Sequence, residues 1–281
     1  RRQDWLHPSL LAVDQAHLRC GRPAWLADLA GAWVFYSVLP LPPGITPRFE
    51  RIARFAPWIG AWIGLLQLLL WKLLEPAGLL AQIPLVLALG IWLSGGLHLD
   101  GAMDTADGLA AGQERCLEAM DDSRVGASGV QALLQLVLLR VGALALLAAV
   151  AAAAPLWGLL WAAVWARIAP LVALIAFPYL RAETGTAGFH RRHQRGWVQE
   201  LAPGLLLLAL VSGVAVGLGG ASGFGLWSWF GWLGLLPAAL VPWWLGRRLG
   251  GHSGDSYGAC VEWTESWSLL LFGGVLLVVA H

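Results

Sequence analysis

Long apolar segments alternate with short polar ones along almost the whole of this 281-residue chain. Most apolar segments hold roughly 15–24 residues, close to the ~20 that a helix needs to cross the hydrocarbon core of a bilayer. Backbone polar groups in lipid must pair within their own segment, so these segments are predicted to be helices. The pattern predicts an all-α, polytopic integral membrane protein with about seven transmembrane helices. The predicted spans lie near 56–74, 80–97, 130–153, 156–178, 201–220, 224–246 and 266–280, and the last is the shortest.

The apolar segment 25–40 differs from the others because it contains Asp28 and runs into the prolines of 39–43. Closely spaced prolines break a helix, since proline lacks an amide hydrogen and clashes with the preceding turn. We therefore interpret 25–40 as a half-helix or an interfacial helix that does not span. Residues 1–24 then form a polar N-terminal arm, and residues 25–281 form a single membrane-embedded catalytic domain.

The distribution of charge adds an orientation. Only 12% of residues are charged and 58% are hydrophobic, whereas soluble domains carry about 25% charged residues. The formal net charge of +1 gives no indication of a nucleic-acid partner. With seven spans, fifteen of the eighteen Lys and Arg residues fall on one side of the membrane, four of them in the N-terminal arm. Positive residues accumulate in cytoplasmic loops, so the segments 41–55, 98–129, 179–200 and 247–265 are predicted to be cytoplasmic.

Three aspartates at the end of the second predicted span are the first candidate site. Asp100, Asp104 and Asp107 are spaced i, i+4 and i+7, which places them on one face of a helix. Carboxylates this close repel each other unless a cation lies among them, and Mg²⁺ prefers oxygen ligands. The alternative is a solvated acidic face, but a plain surface helix has no use for the four glycines that flank the acids. We predict that these three aspartates bind Mg²⁺.

The polar segments that follow contain groups suited to phosphate. One segment has two interpretations: Asp122, Ser123 and Arg124 supply a further carboxylate and two hydrogen-bond donors to phosphate, or they form a capping turn before the next span. Arg181 begins a basic cluster that serves either topology and anionic lipid or substrate phosphate. His98, two residues before Asp100, is either a general base or a partner that orients a ligand carboxylate.

The glycine-rich segment 249–258 is the third polar region, and such backbone can wrap closely around a ligand. His252 and Asp255 lie within it, and Glu262 follows; we predict that all three contact substrate. Two arginines, Arg140 and Arg167, fall inside predicted spans, where each is expected to pair with a carboxylate or to face a polar cavity. Carboxylates, Mg²⁺ and arginines together favour phosphoryl or nucleotidyl transfer.

The ordered motifs resemble those of the cobalamin synthase family, also called adenosylcobinamide-GDP ribazoletransferases. The resemblance rests on residues 95–108, 120–126 and 250–262, with a weaker contribution from 39–42. One departure is Asp121, because the position before Asp122 is usually basic in this family. No ligand role is therefore carried onto Asp121.

The resemblance implies a multi-pass, Mg²⁺-dependent enzyme of the inner (plasma) membrane with its active site on the cytoplasmic face. The 3′-hydroxyl of α-ribazole, or of its 5′-phosphate, attacks the cobinamide-side phosphorus of adenosylcobinamide-GDP. GMP leaves, and adenosylcobalamin or its 5′-phosphate forms. In this reading the catalytic candidates are Asp122 and His98, and Ser123, Arg124 and Arg181 bind substrate. The oligomeric state, including a homo-oligomer, is left open.

Two other functions compete with this one. A CDP-alcohol phosphotransferase that makes lipid head groups runs the same type of reaction, but its Asp-x-x-Asp spacing differs from the four-residue step between Asp100 and Asp104. A transporter would be expected to have acidic residues at the bilayer midplane and repeat symmetry. Most acidic residues here fall in the predicted polar segments instead.

Overall fold

A computed structural model of the protein describes residues 23–181, 193, 195–218 and 226–280. These residues are mostly helical and contain no strand, so the all-α prediction is confirmed. Nearly all of the polar N-terminal arm lies outside the described residues. The helices are α1 (Ala24–Tyr36), α2 (Ala56–Leu73), α3 (Leu79–Leu93), α4 (Leu97–Ala111), α5 (Cys116–Asp121), α6 (Ala127–Val150), α7 (Ala154–Ala176), α8 (Trp197–Leu218), α9 (Leu226–Trp232), α10 (Leu235–Leu249) and α11 (Gly254–Ala280).

Among the described residues, six segments are long and apolar enough to cross a membrane, and α3 with α4 forms a seventh if that bent pair counts as one span. The predicted polytopic membrane protein is therefore confirmed. The six are Ala53–Leu73, Ala127–Val150, Ala154–Ala176, Trp197–Leu218, Trp227–Leu249 and Gly254–Ala280.

The N-terminal helix α1 is too short to span. It has 13 residues and therefore a length of about 20 Å, against about 30 Å of hydrocarbon. The interpretation of 25–40 as a partial helix is confirmed. Its Asp28 is fully buried but neutralised, because Arg48 Nε and Arg54 Nη2 contact the two carboxylate oxygens at 2.6 and 2.5 Å.

The second predicted span differs from the expected straight helix over 80–97. Helix α3 ends at Leu93, and the chain then turns by 90° into α4. Gly95 and Gly96 form the turn with φ of +62° and +68°, a conformation that costs glycine little and other residues much. The aspartates therefore lie on a separate helix that starts at this turn, and the segment from residue 98 onward does not begin as a loop.

The predicted boundary of the last span is wrong. We expected a polar segment over 247–265 followed by a short span, but α11 is one 27-residue helix that begins at Gly254. The prediction failed because Glu262 and Glu265 lower the local hydropathy. In the structure both carboxylates are buried against arginines of other helices, which a pattern along one segment cannot show.

Helix α7 lies at the centre of the fold, where it packs against α2 on one side and α11 on the other. Trp161 and Leu171 are among its buried residues. The chain that leaves α7 is tied to the start of α11 by two backbone hydrogen bonds. The amide of His252 donates to Pro178 O at 2.9 Å, and the amide of Leu180 donates to His252 O at 2.8 Å. This tie places Arg181 beside the first turn of α11.

Candidate active site

Two glycines allow α4 and α11 to cross at backbone contact. A Cβ added at Gly101 would lie 2.6 Å from the carbonyl oxygen of Asp255, and one at Gly258 would lie 3.0 Å from that of His98. Only a residue without a side chain fits such an approach. The crossing therefore brings Asp255, at the start of α11, to the aspartates of α4.

The resulting cluster is strongly acidic. Asp104 is half-buried, and its carboxylate is repelled by Asp100, Asp255 and Asp107, while Arg181 partly offsets this repulsion. Asp100 is exposed. The structure thus brings Asp255, from a separate polar segment, to the three aspartates that sequence analysis placed on one helix face. Such a cluster attracts a cation.

Asp107 has an additional structural task. Its carboxylate accepts hydrogen bonds from the backbone amides of Gly126 at 2.7 Å and Gly129 at 2.8 Å. A negative charge at a helix N-terminus is favourable, and here it fixes the start of α6 against α4. A Cβ at either glycine would lie within 2.6 Å of this carboxylate, so the two glycines are what allow Asp107 to reach the amides.

Arg181 is the cation that the fold supplies to the cluster. It forms an ion pair with Asp121 and lies 3.8 Å from Asp255, from Nη2 to Oδ2. It also donates a 3.4 Å hydrogen bond to the carbonyl oxygen of Leu117. Asp121, for which we predicted no ligand role, therefore orients the arginine that we predicted to bind phosphate. The neighbouring basic residues His190, Arg191 and Arg192 lie outside the described residues.

Asp122, Ser123 and Arg124 form an exposed turn between α5 and α6. The backbone amide and the guanidinium of Arg124 donate to the Asp122 carboxylate at 2.7–3.2 Å. These bonds stabilise the charged form and lower the pKa of Asp122 to about 2. A carboxylate with so low a pKa is a weak proton acceptor. Ser123 is exposed, and Arg124 is 87% exposed.

His98 is buried at the first turn of α4, 5% exposed. Its ring stacks on Tyr36 at 6.1 Å between centroids, and its Nδ1 has no hydrogen-bond partner among the described residues. Its charged neighbours are Arg167, Glu265 and Arg140. The structure therefore places His98 inside the helix bundle, whereas Asp100, two residues later, is exposed.

His252 is also buried, and both of its ring nitrogens have protein partners. Nε2 lies 3.0 Å from the carbonyl oxygen of Pro242, and Nδ1 lies 3.0 Å from Ser256 Oγ. A carbonyl can only accept, so Nε2 carries the hydrogen. Burial lowers the pKa of His252 to about 4, and the side chain is neutral at pH 7.

Glu262 lies deeper, in a buried network of four charges. Arg140 Nη2 donates to Glu262 Oε2 at 2.6 Å, and Arg167 Nη1 donates to Glu265 Oε2 at 2.5 Å. All four side chains are less than 10% exposed. The expectation that Arg140 and Arg167 pair with carboxylates is confirmed. Glu262 is thus already paired within the bundle, and its predicted contact with substrate stays a prediction.

The acidic cluster fits a metal that substrate helps to bind. In the part of the chain that the structure describes, no three His, Cys, Asp or Glu side chains are arranged to hold an ion by themselves. Mg²⁺ in phosphate chemistry, however, is usually held by one or two carboxylates together with substrate phosphates. Asp100 and Asp104 suit this role, because neither forms a hydrogen bond or an ion pair with another side chain that the structure describes.

The main feature that sequence analysis missed is the crossing of α4 and α11. The seven-residue interval between Gly101 and Gly108 was a signal, since it places both glycines on one helix face. A Cβ at Gly108 would lie 2.8 Å from the carbonyl oxygen of Cys116, so this face receives α5 as well as α11.

Comparison with known proteins agrees with these motifs. The sequence profile of the cobalamin-5-phosphate synthase family matches residues 28–273. A protein of Prochlorococcus marinus (strain MIT 9313) named adenosylcobinamide-GDP ribazoletransferase is 58% identical over 264 residues, which cover 90% of this chain and 98% of the relative. One of the same name from Trichormus variabilis is 38% identical, over 86% of this chain and 94% of the relative. No solved structure shows a significant match. The chain therefore belongs to the cobalamin-5-phosphate synthase family, a family of transferases in cobalamin biosynthesis.

Proposed function

We propose that this chain joins adenosylcobinamide-GDP to α-ribazole, or to α-ribazole 5′-phosphate, with Mg²⁺ as cofactor. The names of relatives that align over nearly their whole length support the substrates. The observation that carries the chemistry is the acidic cluster at the crossing of α4 and α11, with Arg181 beside it. Products are GMP and adenosylcobalamin or its 5′-phosphate.

The reaction exchanges a phosphoanhydride bond for a phosphate ester bond. The 3′-hydroxyl oxygen of the ribazole forms a bond to the cobinamide-side phosphorus, and the bond from that phosphorus to the bridging oxygen breaks. The bridging oxygen leaves with GMP, and the hydroxyl proton passes to a base or to water. When bound, Mg²⁺ neutralises charge on the pyrophosphate and on the leaving oxygen.

The positions of the described residues suggest which part of the reaction each would serve. Asp100 and Asp104 hold the metal, while Asp107 joins them only if its carboxylate binds a metal and two amides together. Arg181 contacts the phosphate next to Asp255, and Arg124 with Ser123 reaches it from the exposed turn. Asp122 is the candidate base by its position in this turn, although the hydrogen bonds of Arg124 make it a weak proton acceptor, and His98 is the buried alternative.

The placement of the site relative to the membrane is part of the proposal. Asp255, Arg181 and Asp122 lie at helix ends on one side of the bundle, in or beside the segments that carry most of the basic residues. The positive-inside rule then assigns this side to the cytoplasm. The inner membrane is what the family resemblance implies, and the substrates would bind at its cytoplasmic face.

The test is release of GMP by the purified full-length protein from adenosylcobinamide-GDP and α-ribazole. We expect activity that requires Mg²⁺ and a loss of roughly 10²-fold or more in Asp104→Asn, since one of two metal-binding carboxylates is removed. Glu118→Gln is the matched control, because Glu118 is an exposed acid on the same side and pairs only with Arg115 among the described residues. Turnover in Asp104→Asn equal to that of Glu118→Gln would contradict the metal assignment.

A further inference from the structure

An apolar groove lies between α4, α10 and α11. It encloses about 580 Å³, and apart from Thr105 every residue that lines it is apolar or aromatic. On α4 the lining residues, such as Thr105 and Leu109, lie on the helix face opposite to Asp104 and Asp107. The groove is therefore distinct from the acidic cluster, but it shares two helices with it.

The groove continues along α11. A second, open apolar depression of about 480 Å³ is lined by residues of α11 alone; it shares Trp267 and Leu271 with the first and extends to Val279. From Trp263 to Val279 the helix rises about 24 Å at 1.5 Å per residue. One leaflet of hydrocarbon is about 15 Å deep. The groove and this depression together are thus long enough to hold a whole acyl chain against α11.

Two arginines stand at the mouth of this groove. Arg247 and Arg248 are in the last turn of α10, both exposed, with their guanidinium groups over Trp243 at 5.0 Å and Trp244 at 5.6 Å. Trp244 lines the groove. Neither arginine forms an ion pair with any residue that the structure describes. Exposed arginines beside tryptophan at the end of a span are suited to anionic lipid head groups.

Thr105 supplies an independent observation. It lines the groove and is 2% exposed, and its hydroxyl oxygen has no hydrogen-bond partner within the described residues. Buried hydroxyl groups are nearly always paired, because leaving one unpaired is costly. A ligand with an acceptor oxygen, such as an ester carbonyl, would pair with it.

We propose that this groove binds one anionic phospholipid. The acyl chain lies along α11, the ester region meets Thr105, and the phosphate pairs with Arg248 and Arg247. The lipid fills the outer side of the two helices whose crossing forms the acidic cluster. It is a structural ligand, and this assignment does not depend on which substrates the enzyme uses.

Native mass spectrometry of the full-length protein tests the charge part of the proposal. The probes are phosphatidylglycerol and phosphatidylcholine with identical acyl chains. We expect wild-type protein to retain phosphatidylglycerol more strongly, and the double variant Arg247→Gln/Arg248→Gln to lose roughly fivefold in preference per arginine. Arg115→Gln is the control, because Arg115 is also an exposed arginine and does not line the groove. Equal retention of the two lipids by wild type would overturn the proposal.

A variant that fills the groove tests whether the lipid binds there. Leu240→Trp puts a large side chain on a lining residue that is 52% exposed, and we expect it to lower retention of both lipids. Leu210→Trp on α8 is the matched control, since Leu210 is 50% exposed and does not line the groove. Unchanged retention in Leu240→Trp would refute the site. So would a wild-type dimer that Leu240→Trp splits without loss of lipid, because a second copy would then occupy the groove.

Discussion

Asp122 carries its negative charge at all but strongly acidic pH. Its pKa of about 2 comes from the hydrogen bonds of Arg124, which favour the ionised carboxylate. A residue of this kind orients its arginine well but accepts a proton poorly. The pH–rate profile therefore distinguishes Asp122 from a base with a pKa near neutrality, because only the latter would titrate near pH 7.

We expect Asp122→Asn to slow turnover by roughly 10²-fold, because the substitution removes both the candidate base and the carboxylate that orients Arg124. We also expect the wild-type pH–rate profile to show no inflection from Asp122 between pH 4 and 9. Rates measured across this range, each at several Mg²⁺ concentrations, check both expectations. Rescue of the variant by high Mg²⁺ would instead identify Asp122 as a metal ligand, and His98 would be tested next.

His252 links stability to pH. The unfolded chain protonates this side chain below about pH 6.5, whereas the folded protein does so only near pH 4. The unfolded state therefore binds more protons between these values, and the free energy of unfolding falls as the pH drops through this interval. We expect the Tm of the protein in detergent to decrease from pH 6.5 to pH 4. His252→Gln should have a lower Tm at pH 7 and a flatter slope; a slope equal to that of wild type would count against this account.

At the scale of the element, the contact between α4 and α11 depends on two hydrogens at Gly101. Replacing one with a methyl group places it 2.6 Å from the carbonyl oxygen of Asp255, a backbone atom that has no rotamer to change. The helices must separate, and Asp255 then moves away from Asp104. We expect Gly101→Ala to cost about 1–3 kcal/mol of stability and to reduce activity further than that loss alone would.

Gly213→Ala in α8 is the control for this substitution, because a Cβ there has open space around it. Alanine favours helix over glycine by up to about 1 kcal/mol, so this variant should be at least as stable as wild type. Thermal unfolding and GMP release, measured on both variants, distinguish the two positions. Equal behaviour of the two alanines would contradict a backbone-contact crossing.

The elements differ in how well sequence could predict them. Spans α6, α7 and α8 follow from uninterrupted hydropathy, with ends within a few residues of those predicted. Helix α11 was cut short because its two glutamates look solvent-exposed until Arg140 and Arg167 are placed beside them. The candidate site was also only partly predictable. Sequence spacing predicted that the aspartates share one helix, but the approach of Asp255 and Arg181 depends on contacts between distant segments.

At the scale of the whole molecule, the sidedness of the bundle can be tested directly. Cys116 and Cys260 are buried, so native thiols report poorly on exposure. In a variant with all three native cysteines replaced by serine, we expect Ala77→Cys to react with an impermeant maleimide in intact cells. Glu114→Cys should react only after permeabilisation, because it lies at the end that carries the acidic cluster. Both positions are exposed, and the reverse labelling would invert the proposed orientation.

The buried network of four charges has a consequence for biogenesis. Arg140 precedes its partner Glu262 by 122 residues, and Arg167 precedes Glu265 by 98. Both arginines therefore leave the ribosome and enter the bilayer well before the carboxylates that neutralise them have been synthesised. An unpaired arginine in hydrocarbon is costly, so α6 and α7 are not stably inserted until α11 has been synthesised. Helix α11 thus completes insertion of the middle of the chain, and a truncation before Glu262 would leave a product for membrane quality control to remove.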